Sequence, residues 1–131
     1  MTQETVGRTG KPAPTTGIRH VVASASYSFA GLRRLLREEA FRQEILAFLG
    51  IVAVFAAVGA PLTGFALQSV LFLVLLAVEA LNTAVEVLVD RISPGYAEFA
   101  RQAKDLGSFA VFCLLLANGI TAAVVIWQTV F

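Results

Sequence analysis

Oxygen-bearing side chains recur along one side of an otherwise apolar segment in the second half of the chain. The segment EALNTAVEVLVD carries four of them at spacings of three and four residues: Glu79, Asn82, Glu86 and Asp90. On a helix, these four side chains would project from the axis in directions within roughly 80° of one another. Because a carboxylate facing acyl chains costs several kcal/mol, the two glutamates inside the apolar segment must face protein, water or a cation. The spacing therefore predicts one functional face.

Carboxylates and an amide on one stripe suit two kinds of chemistry. Two hard oxygen ligands are the usual protein share of a Mg²⁺ site, because Mg²⁺ keeps waters and takes further ligands from substrate phosphates. A third carboxylate that binds no metal could accept a proton from an attacking hydroxyl during phosphoryl transfer. On the pattern alone, a helix that conducts protons or other cations is an equal competitor.

The composition places this stripe in a membrane protein. Of the 131 residues, 57% are hydrophobic and 15% charged, and the mean hydropathy is +0.77, which excludes a water-soluble globular domain. A formal net charge of +1 supplies no basic field for nucleic acid. The single cysteine, Cys113, excludes a disulfide within the chain.

Three long apolar runs predict an all-α integral membrane fold with three transmembrane helices, at about 43–60, 65–89 and 106–129. Residues 18–38 place apolar side chains three and four apart and end in an arginine-rich stretch, which predicts an amphipathic helix at the membrane surface. A cytosolic helix packed on the bundle is the alternative. Residues 1–17, rich in Thr, Gly and Pro, are predicted to form a disordered tail, which leaves a membrane domain over 18–131.

The basic residues predict the topology. All ten Lys and Arg precede the first span or lie between the second and third, so the positive-inside rule places the N-terminus and the 90–105 loop in the cytoplasm. Three helices are too few to enclose two substrates while also shielding two acids, so we expect a bundle whose sites lie between subunits. Two pairs of small residues favour close helix contact: Ala103 with Gly107, and Gly119 with Ala123.

The segment EALNTAVEVLVDRISPGYAEFARQAKDLGSFAV, with EEAFRQE ahead of the first span, resembles the signature of the small prokaryotic diacylglycerol kinase family. The resemblance covers roughly residues 19–128, and FRQE and KDLGS resemble the diacylglycerol-phosphorylating branch rather than the undecaprenol-phosphorylating one. It implies an ATP- and Mg²⁺-dependent multi-pass kinase of the bacterial inner membrane, homotrimeric, with intersubunit active sites. The absence of a GxxxxGK[ST] loop agrees with a kinase unlike the soluble ones.

The resemblance also implies roles for individual residues. Glu79 resembles the catalytic base that deprotonates the lipid hydroxyl, and Asn82 resembles the residue that orients base and substrate. Glu86 and Glu38 resemble the carboxylates that hold the metal, and Glu39 offers a competing assignment beside Glu38.

Nucleotide and lipid contacts follow from the same resemblance. Lys104 looks like a ligand of the nucleotide phosphates. The other implied nucleotide-site residues are Asp105, Asp90, Tyr96, Tyr27 and Arg19. The implied contacts to the lipid substrate are Arg42, Gln43 and Glu44.

We therefore expect an enzyme that moves the γ-phosphoryl group of MgATP to the hydroxyl of diacylglycerol, giving phosphatidic acid and ADP. An undecaprenol kinase on the same scaffold is one alternative. A small oligomeric cation or proton carrier that uses Glu79 and Glu86 is an alternative of a different class. ATP dependence separates them, because a carrier has no use for Lys104 and Asp105 as phosphate ligands.

Overall fold

The computed structural model describes residues 17–131, without the side chain of Arg19, and this part of the chain is helical. Its helices are α1 (Ile18–Leu35), α2 (Glu39–Val58), α3 (Leu62–Ile92) and α4 (Glu98–Val130). No strand occurs among residues 17–131. The all-α prediction is confirmed. The predicted disordered tail, residues 1–17, lies outside the described residues except for Gly17.

Helices α2, α3 and α4 are each long and apolar enough to cross a membrane. Their most apolar windows have mean hydropathies of 1.8, 2.1 and 2.4, yet at most 28% of any window is buried inside the chain. Most of this apolar surface therefore faces outward, where a bilayer removes it from water. The prediction of a membrane protein with three spanning helices is confirmed.

The helices extend beyond the predicted spans at their charged ends. α2 begins at Glu39 rather than near residue 43. α3 and α4 have 31 and 33 residues, or about 46 and 50 Å, well over the ~30 Å of hydrocarbon. The segment predicted as a loop over 90–105 is therefore mostly helix, and only residues 93–97 connect α3 to α4. The break falls where Pro94 and Gly95 disfavour a helix.

Helix α1 ends at Leu35, short of the predicted boundary at 38. The N–H groups of Arg37 and Glu38 donate to the carbonyls of Arg34 and Leu35, at 3.1 and 2.8 Å, and form a tight turn. This turn leads directly into α2. Leu35 is buried, but most apolar side chains of α1 are exposed, so the placement of α1 at the membrane surface stays a prediction.

A glycine cap joins α2 to α3. Gly59 adopts φ 74° and ψ 37°, in the left-handed region that glycine enters without steric cost. The N–H groups of Gly59 and Ala60 donate to the carbonyls of Ala56 and Phe55, at 3.4 and 2.9 Å, which are the paired bonds of a Schellman motif. Because Pro61 follows at once, the chain reverses within three residues and α3 returns alongside α2.

Helices α3 and α4 pack along their whole length because small residues let them approach. A Cβ on Gly64 would lie 2.8 Å from Cγ1 of Val125, and one on Gly107 would overlap Oδ1 of Asn82. About five helical turns (~27 Å) separate Gly64 from Asn82, and the same distance separates Gly107 from Val125. The two contacts therefore lie on one face of each helix and set the antiparallel register.

Aromatic pairs attach α2 to α3. The rings of Phe48 and Phe72 stack with centroids 4.1 Å apart. Near the other end of α2, Phe55 meets Phe65 edge to face at 5.5 Å, and Phe55 is fully buried against Val125 of α4. These contacts hold the middle and the C-terminal part of α2 against α3.

Replacing Gly59 with alanine should destabilise the fold, because a side chain is forced into the left-handed region at a cost of about 1–2 kcal/mol. Gly50→Ala is the matched control, since Gly50 has no positive φ and open space around a Cβ. The free energy of unfolding, measured by SDS titration in mixed micelles, should fall only for Gly59→Ala. Equal stability of the two variants would contradict the assigned cap.

Candidate functional site

Residues from three helices meet around a cavity of about 320 Å³, the site cavity, near the charged ends of α2, α3 and α4. α3 contributes Glu79, Asn82, Thr83 and Glu86; α2 and the residue before it contribute Glu38, Ala40 and Glu44; α4 contributes Ser108, Val111 and Leu115. The stripe lines this cavity because its spacing keeps it on one face of α3. Asp90, the last residue of the stripe, lies one turn farther toward the charged end.

Glu79 is the deepest carboxylate of the stripe, with only 8% of its surface exposed. Its Oε2 is buried and accepts no hydrogen bond from the described residues. Closer to the charged end, Asn82 Nδ2 donates to Glu86 Oε1 at 3.2 Å, and Asn82 Oδ1 has no donor within residues 17–131 as described. The Asn82 amide therefore holds Glu86, and the orientation of Glu79 by Asn82 stays a prediction.

The start of α2 adds two carboxylates to the site cavity. Glu44 is 9% exposed, and its Oε2 is buried without a partner among the described residues. Glu38 is half-buried and lies 3.6 Å from Arg34. The neighbouring Glu39 is exposed and accepts a hydrogen bond from Gln43 at 3.4 Å. Of the two adjacent glutamates, Glu38 is the one that lines the site cavity.

Four carboxylates around one cavity repel one another unless something offsets their charge. They are Glu38, Glu44, Glu79 and Glu86. Glu44 and Glu79 are buried, so the repulsion between them is weakly screened, and a proton or a cation would offset it. An all-oxygen donor set suits Mg²⁺, and Asn82 Oδ1, buried and without a donor among the described residues, is an acceptor that a water ligand of such an ion could satisfy.

The positions of the side chains limit how a metal could bind in the site cavity. Among residues 17–131, no three His, Cys, Asp or Glu side chains converge closely enough to hold a metal ion by themselves. A metal bound here would complete its shell with water or with substrate oxygens, which is how Mg²⁺ usually binds beside one or two carboxylates. The residues of the site cavity therefore fit a shared metal–phosphate site better than a closed protein cage.

Beyond the site cavity, the ends of α3 and α4 carry an exposed network of ion pairs, the charged rim. Lys104 Nζ donates to Asp90 Oδ1 across the two helices at 2.5 Å. Arg101 donates to Asp105 Oδ2 at 2.7 Å and to Glu98 Oε1 at 2.6 Å. Because exposed pairs of this kind contribute little to stability, Lys104 and Arg101 can exchange a carboxylate for a phosphate at small cost.

The structure brings together only some of the predicted nucleotide-site residues. Asp90 and Lys104 bond directly, but Tyr96 is 85% exposed and donates its hydroxyl to Glu98 at 3.0 Å. On α1, Tyr27 is 75% exposed, and the side chain of Arg19 lies outside the described residues. Of these groups, none with a described side chain lines the site cavity.

The predicted lipid contacts divide in the same way. Glu44 faces the site cavity. Arg42 and Gln43, two residues and one residue earlier in α2, are exposed. Only Glu44 of the three is therefore positioned in this chain to meet a group bound in the cavity.

Several residues of the site were not identified from the sequence. Thr83 and Ser108 place hydroxyl groups on the cavity wall, and Glu98 organises the charged rim. Thr83 follows Glu79 by four residues, so helical spacing could have revealed it. Gly107 was expected to favour helix contact, and it does so within the chain, against Asn82.

Comparisons with known proteins identify relatives of the chain. Residues 26–126 match the family model described as prokaryotic diacylglycerol kinase. A diacylglycerol kinase of Sinorhizobium sp is 48% identical over 125 residues, covering 95% of this chain and 91% of the relative. The diacylglycerol kinase of Escherichia coli strain K12 is 40% identical over 117 residues, covering 87% and 94%. That of Haemophilus influenzae is 37% identical over 115 residues, covering 81% and 91%.

An alanine at Gly107 should displace the side chain that holds Glu86. Since the new Cβ overlaps Asn82 Oδ1, Asn82 has to rotate, and its hydrogen bond to Glu86, about 0.5–1.5 kcal/mol, is lost. Gly119→Ala is the matched control on α4, because a Cβ there meets nothing within 4 Å. We expect the side-chain amide resonances of Asn82 to shift in Gly107→Ala alone. Unchanged resonances in that variant would show that the close approach is absent.

Proposed function

The chain belongs to the prokaryotic diacylglycerol kinase family, and from this premise we propose that it transfers the γ-phosphoryl group of ATP to diacylglycerol, giving phosphatidic acid and ADP. One observation carries the proposal: Glu79 is buried on the wall of a carboxylate-lined cavity, and its Oε2 has no hydrogen-bond donor among the described residues. An acid in this setting can accept a proton from an attacking hydroxyl.

In the proposed reaction, Glu79 acts as general base. The hydroxyl oxygen of diacylglycerol forms a bond to the γ-phosphorus, the bond from that phosphorus to the β–γ bridging oxygen breaks, and the hydroxyl proton passes to Glu79 Oε2. ADP is the leaving group. Because an alcohol is a far weaker acid than a carboxylic acid, the proton must move as the new bond forms. No covalent intermediate on the protein is needed, since phosphoryl transfer depends mainly on positioning and charge neutralisation.

Glu86 and Glu38 are the residues that we propose to hold Mg²⁺. A bound divalent cation would neutralise charge on the phosphates of the nucleotide. The bond from Asn82 Nδ2 to Glu86 Oε1 supports this role, because an amide that fixes one carboxylate oxygen leaves the other directed elsewhere. The lining of the site cavity supports Glu38 over Glu39 as the second carboxylate.

The charged rim is the proposed entry point of the nucleotide. Lys104, held by Asp90 at 2.5 Å, would exchange that partner for phosphate oxygens, and Asp90 would then be free to contact the nucleotide. Asp105, Tyr96, Tyr27 and Arg19 complete the proposed nucleotide site. The exposure of Asp105, Tyr96 and Tyr27 leaves these groups accessible to a ligand from the aqueous side.

Glu44 is proposed to contact the lipid, with Arg42 and Gln43 at the headgroup level. Glu44 is buried and lines the site cavity together with the apolar residues Val111 and Leu115. The glycerol unit of a lipid would enter this apolar side of the cavity from the bilayer. Arg42 is exposed, and a guanidinium near the end of a spanning helix can reach lipid phosphates at the interface.

For the cellular setting, we propose the bacterial inner membrane, with the N-terminus and the charged rim in the cytoplasm. All ten basic residues lie on that side by the order of the spans. α1 would lie along the membrane surface with its exposed apolar side chains in the interface. Half-buried Glu38 and Glu86 leave the site cavity partly open, which supports sites completed by a neighbouring subunit. That three subunits assemble is proposed from the family resemblance.

Glu79→Gln should abolish the reaction while preserving the fold. The amide keeps the size of the side chain but cannot accept the hydroxyl proton, so kcat should fall by about 10²–10⁴. Glu39→Gln, an exposed glutamate outside the cavity, is the control and should retain activity. The measurement is transfer of labelled γ-phosphate from MgATP to diacylglycerol in mixed micelles, with undecaprenol in parallel.

Each outcome of that assay is decisive. Labelling of diacylglycerol that disappears with Glu79→Gln supports both the substrate and the base. Labelling of undecaprenol alone would show that undecaprenol, rather than diacylglycerol, is the substrate. If neither lipid is labelled by folded protein, the kinase proposal fails and cation flux becomes the activity to measure.

Glu86→Gln should raise the free Mg²⁺ concentration that gives half-maximal activity by at least about tenfold, because a charged ligand becomes neutral. Saturating Mg²⁺ should restore part of the activity, which it cannot do for Glu79→Gln. A Mg²⁺ titration at constant MgATP separates the two variants, with Glu39→Gln again as the control. An unchanged Mg²⁺ requirement in Glu86→Gln would show that Glu86 does not bind the metal.

A further inference from the structure

Thr83 of α3 lies between two cavities. It lines the site cavity, and it also lines an apolar groove of about 450 Å³ between the end of α1 and α3. Apart from Thr83 itself and Arg34, the residues that line this groove have apolar side chains or none, and its surface consists almost only of carbon atoms. Thr83 therefore presents its methyl group to the groove, which leaves its hydroxyl group for the site cavity.

The Thr83 hydroxyl is not used within the helix. A threonine inside a helix often donates to the carbonyl four residues earlier, as Thr129 does to Val125 at 2.7 Å. On α3, the side chains that donate hydrogen bonds to described residues are those of Gln68 and Asn82, and Thr83 is not among them. Since Thr83 is half-buried rather than enclosed, a group bound in the site cavity can reach its hydroxyl.

The site cavity is poor in hydrogen-bond donors. Its carboxylates only accept when they are ionised, and no lysine or arginine of the described residues lines it. The amide nitrogen of Asn82 is directed to Glu86 at 3.2 Å. The other side-chain donors on the wall are the hydroxyls of Thr83 and Ser108. A phosphoryl group, whose oxygens need donors or a cation, would find its protein donors there.

Thr83 is the hydroxyl whose position matches the proposed transfer. It follows Glu79 by four residues and precedes Glu86 by three, about 6 and 4.5 Å along the helix axis. In the proposed reaction, the lipid hydroxyl meets Glu79 and the nucleotide phosphates lie toward Glu86, so the γ-phosphoryl group passes between them. Ser108 is exposed and belongs to α4, outside this interval.

We propose, on the basis of the function proposed above, that Thr83 Oγ1 donates a hydrogen bond to a non-bridging oxygen of the γ-phosphoryl group during transfer. This contact makes Thr83 a further catalytic residue. The hydroxyl keeps its proton throughout, and the bonds that form and break are those of the proposed reaction. Because charge is spread over the three equatorial oxygens in the transition state, a donor that is already in place stabilises it without reorganisation.

Thr83→Val tests the proposal, because valine resembles threonine in shape and lacks the hydroxyl. In transfer of labelled γ-phosphate from MgATP to diacylglycerol in mixed micelles, kcat should fall about 10- to 100-fold, with little change in the KM of either substrate. Thr83→Ser, which keeps the hydroxyl, should retain most of the wild-type kcat. Thr121→Val is the matched control, since Thr121 is half-buried in α4 and lines neither cavity.

An ether lipid separates a contact to the phosphoryl group from a contact to the lipid. A dialkylglycerol has the reacting hydroxyl but no ester carbonyl that could accept from Thr83. We expect Thr83→Val to lose as much activity with dialkylglycerol as with diacylglycerol. A loss confined to diacylglycerol would assign the hydroxyl to the ester and overturn the proposal. A purely structural role would slow Thr83→Ser as well and raise both KM values, and either result would count against the contact.

The same assay distinguishes this proposal from the proposed function. Absence of transfer by the wild-type protein would refute the reaction itself, and the role of Thr83 with it. Transfer at the wild-type rate by Thr83→Val would refute the role of Thr83 alone. If Thr83→Val does not fold, Thr83→Ala removes the same hydroxyl and introduces the residue that most favours a helix.

Discussion

A carboxylate cannot be left facing hydrocarbon, and the arrangement of this bundle follows from that constraint. Glu79 and Glu86 lie in a helix of 31 residues made mainly of Leu, Val and Ala. α3 can hold them in a membrane only by turning their face toward α2 and α4, which leaves its apolar faces for lipid. The result is the site cavity, where acids with unpartnered oxygens are kept away from acyl chains and available for proton or metal chemistry.

The close approach of α3 and α4 is what makes this burial feasible. Gly64 and Gly107 remove side chains at two levels about five turns apart, so backbones come near enough for short polar side chains to bond across the gap. Between these levels, Gln68 bonds to Asn118 at 2.8 Å. Helix association in lipid relies on such packing and hydrogen bonds, because burying apolar surface gains little there. Gly107 consequently leaves room for the side chain of Asn82, and the amide of that side chain donates a hydrogen bond to Glu86.

The helices around the site contact one another in different ways. α3 and α4 form one continuous antiparallel pair, whereas α2 contacts α3 mainly through aromatic pairs such as Phe48 with Phe72. α1 meets α3 through its last turns, where Gly31, Arg34 and Leu35 line a cavity together with residues of α3. Glu38 lies in the turn between α1 and α2, so the carboxylate proposed to complete the metal site comes from the less firmly held part of the fold. A nucleotide that binds both parts would draw them together.

Periodicity and composition, which are local properties, were enough to predict an all-α membrane protein, three spans and a single face of carboxylates. The motif around Glu79, Asn82 and Glu86 was also enough to indicate the family. Helix ends were predicted less well, because charged residues such as Arg101 and Lys104 remain helical outside the hydrocarbon. Residues 93–97, which include Pro94 and Gly95, are the only non-helical residues between α3 and α4.

Other features depend on how the helices are rotated and shifted against one another, which no single helix encodes. The lining of the cavity by Glu38 rather than Glu39, the bond from Asn82 to Glu86, and the bond from Gln68 to Asn118 are all of this kind. The sequence alone determined which residues share a face, because the helical repeat is set by the backbone. The tertiary structure decided which groups that face meets, because packing between helices sets their rotation and register.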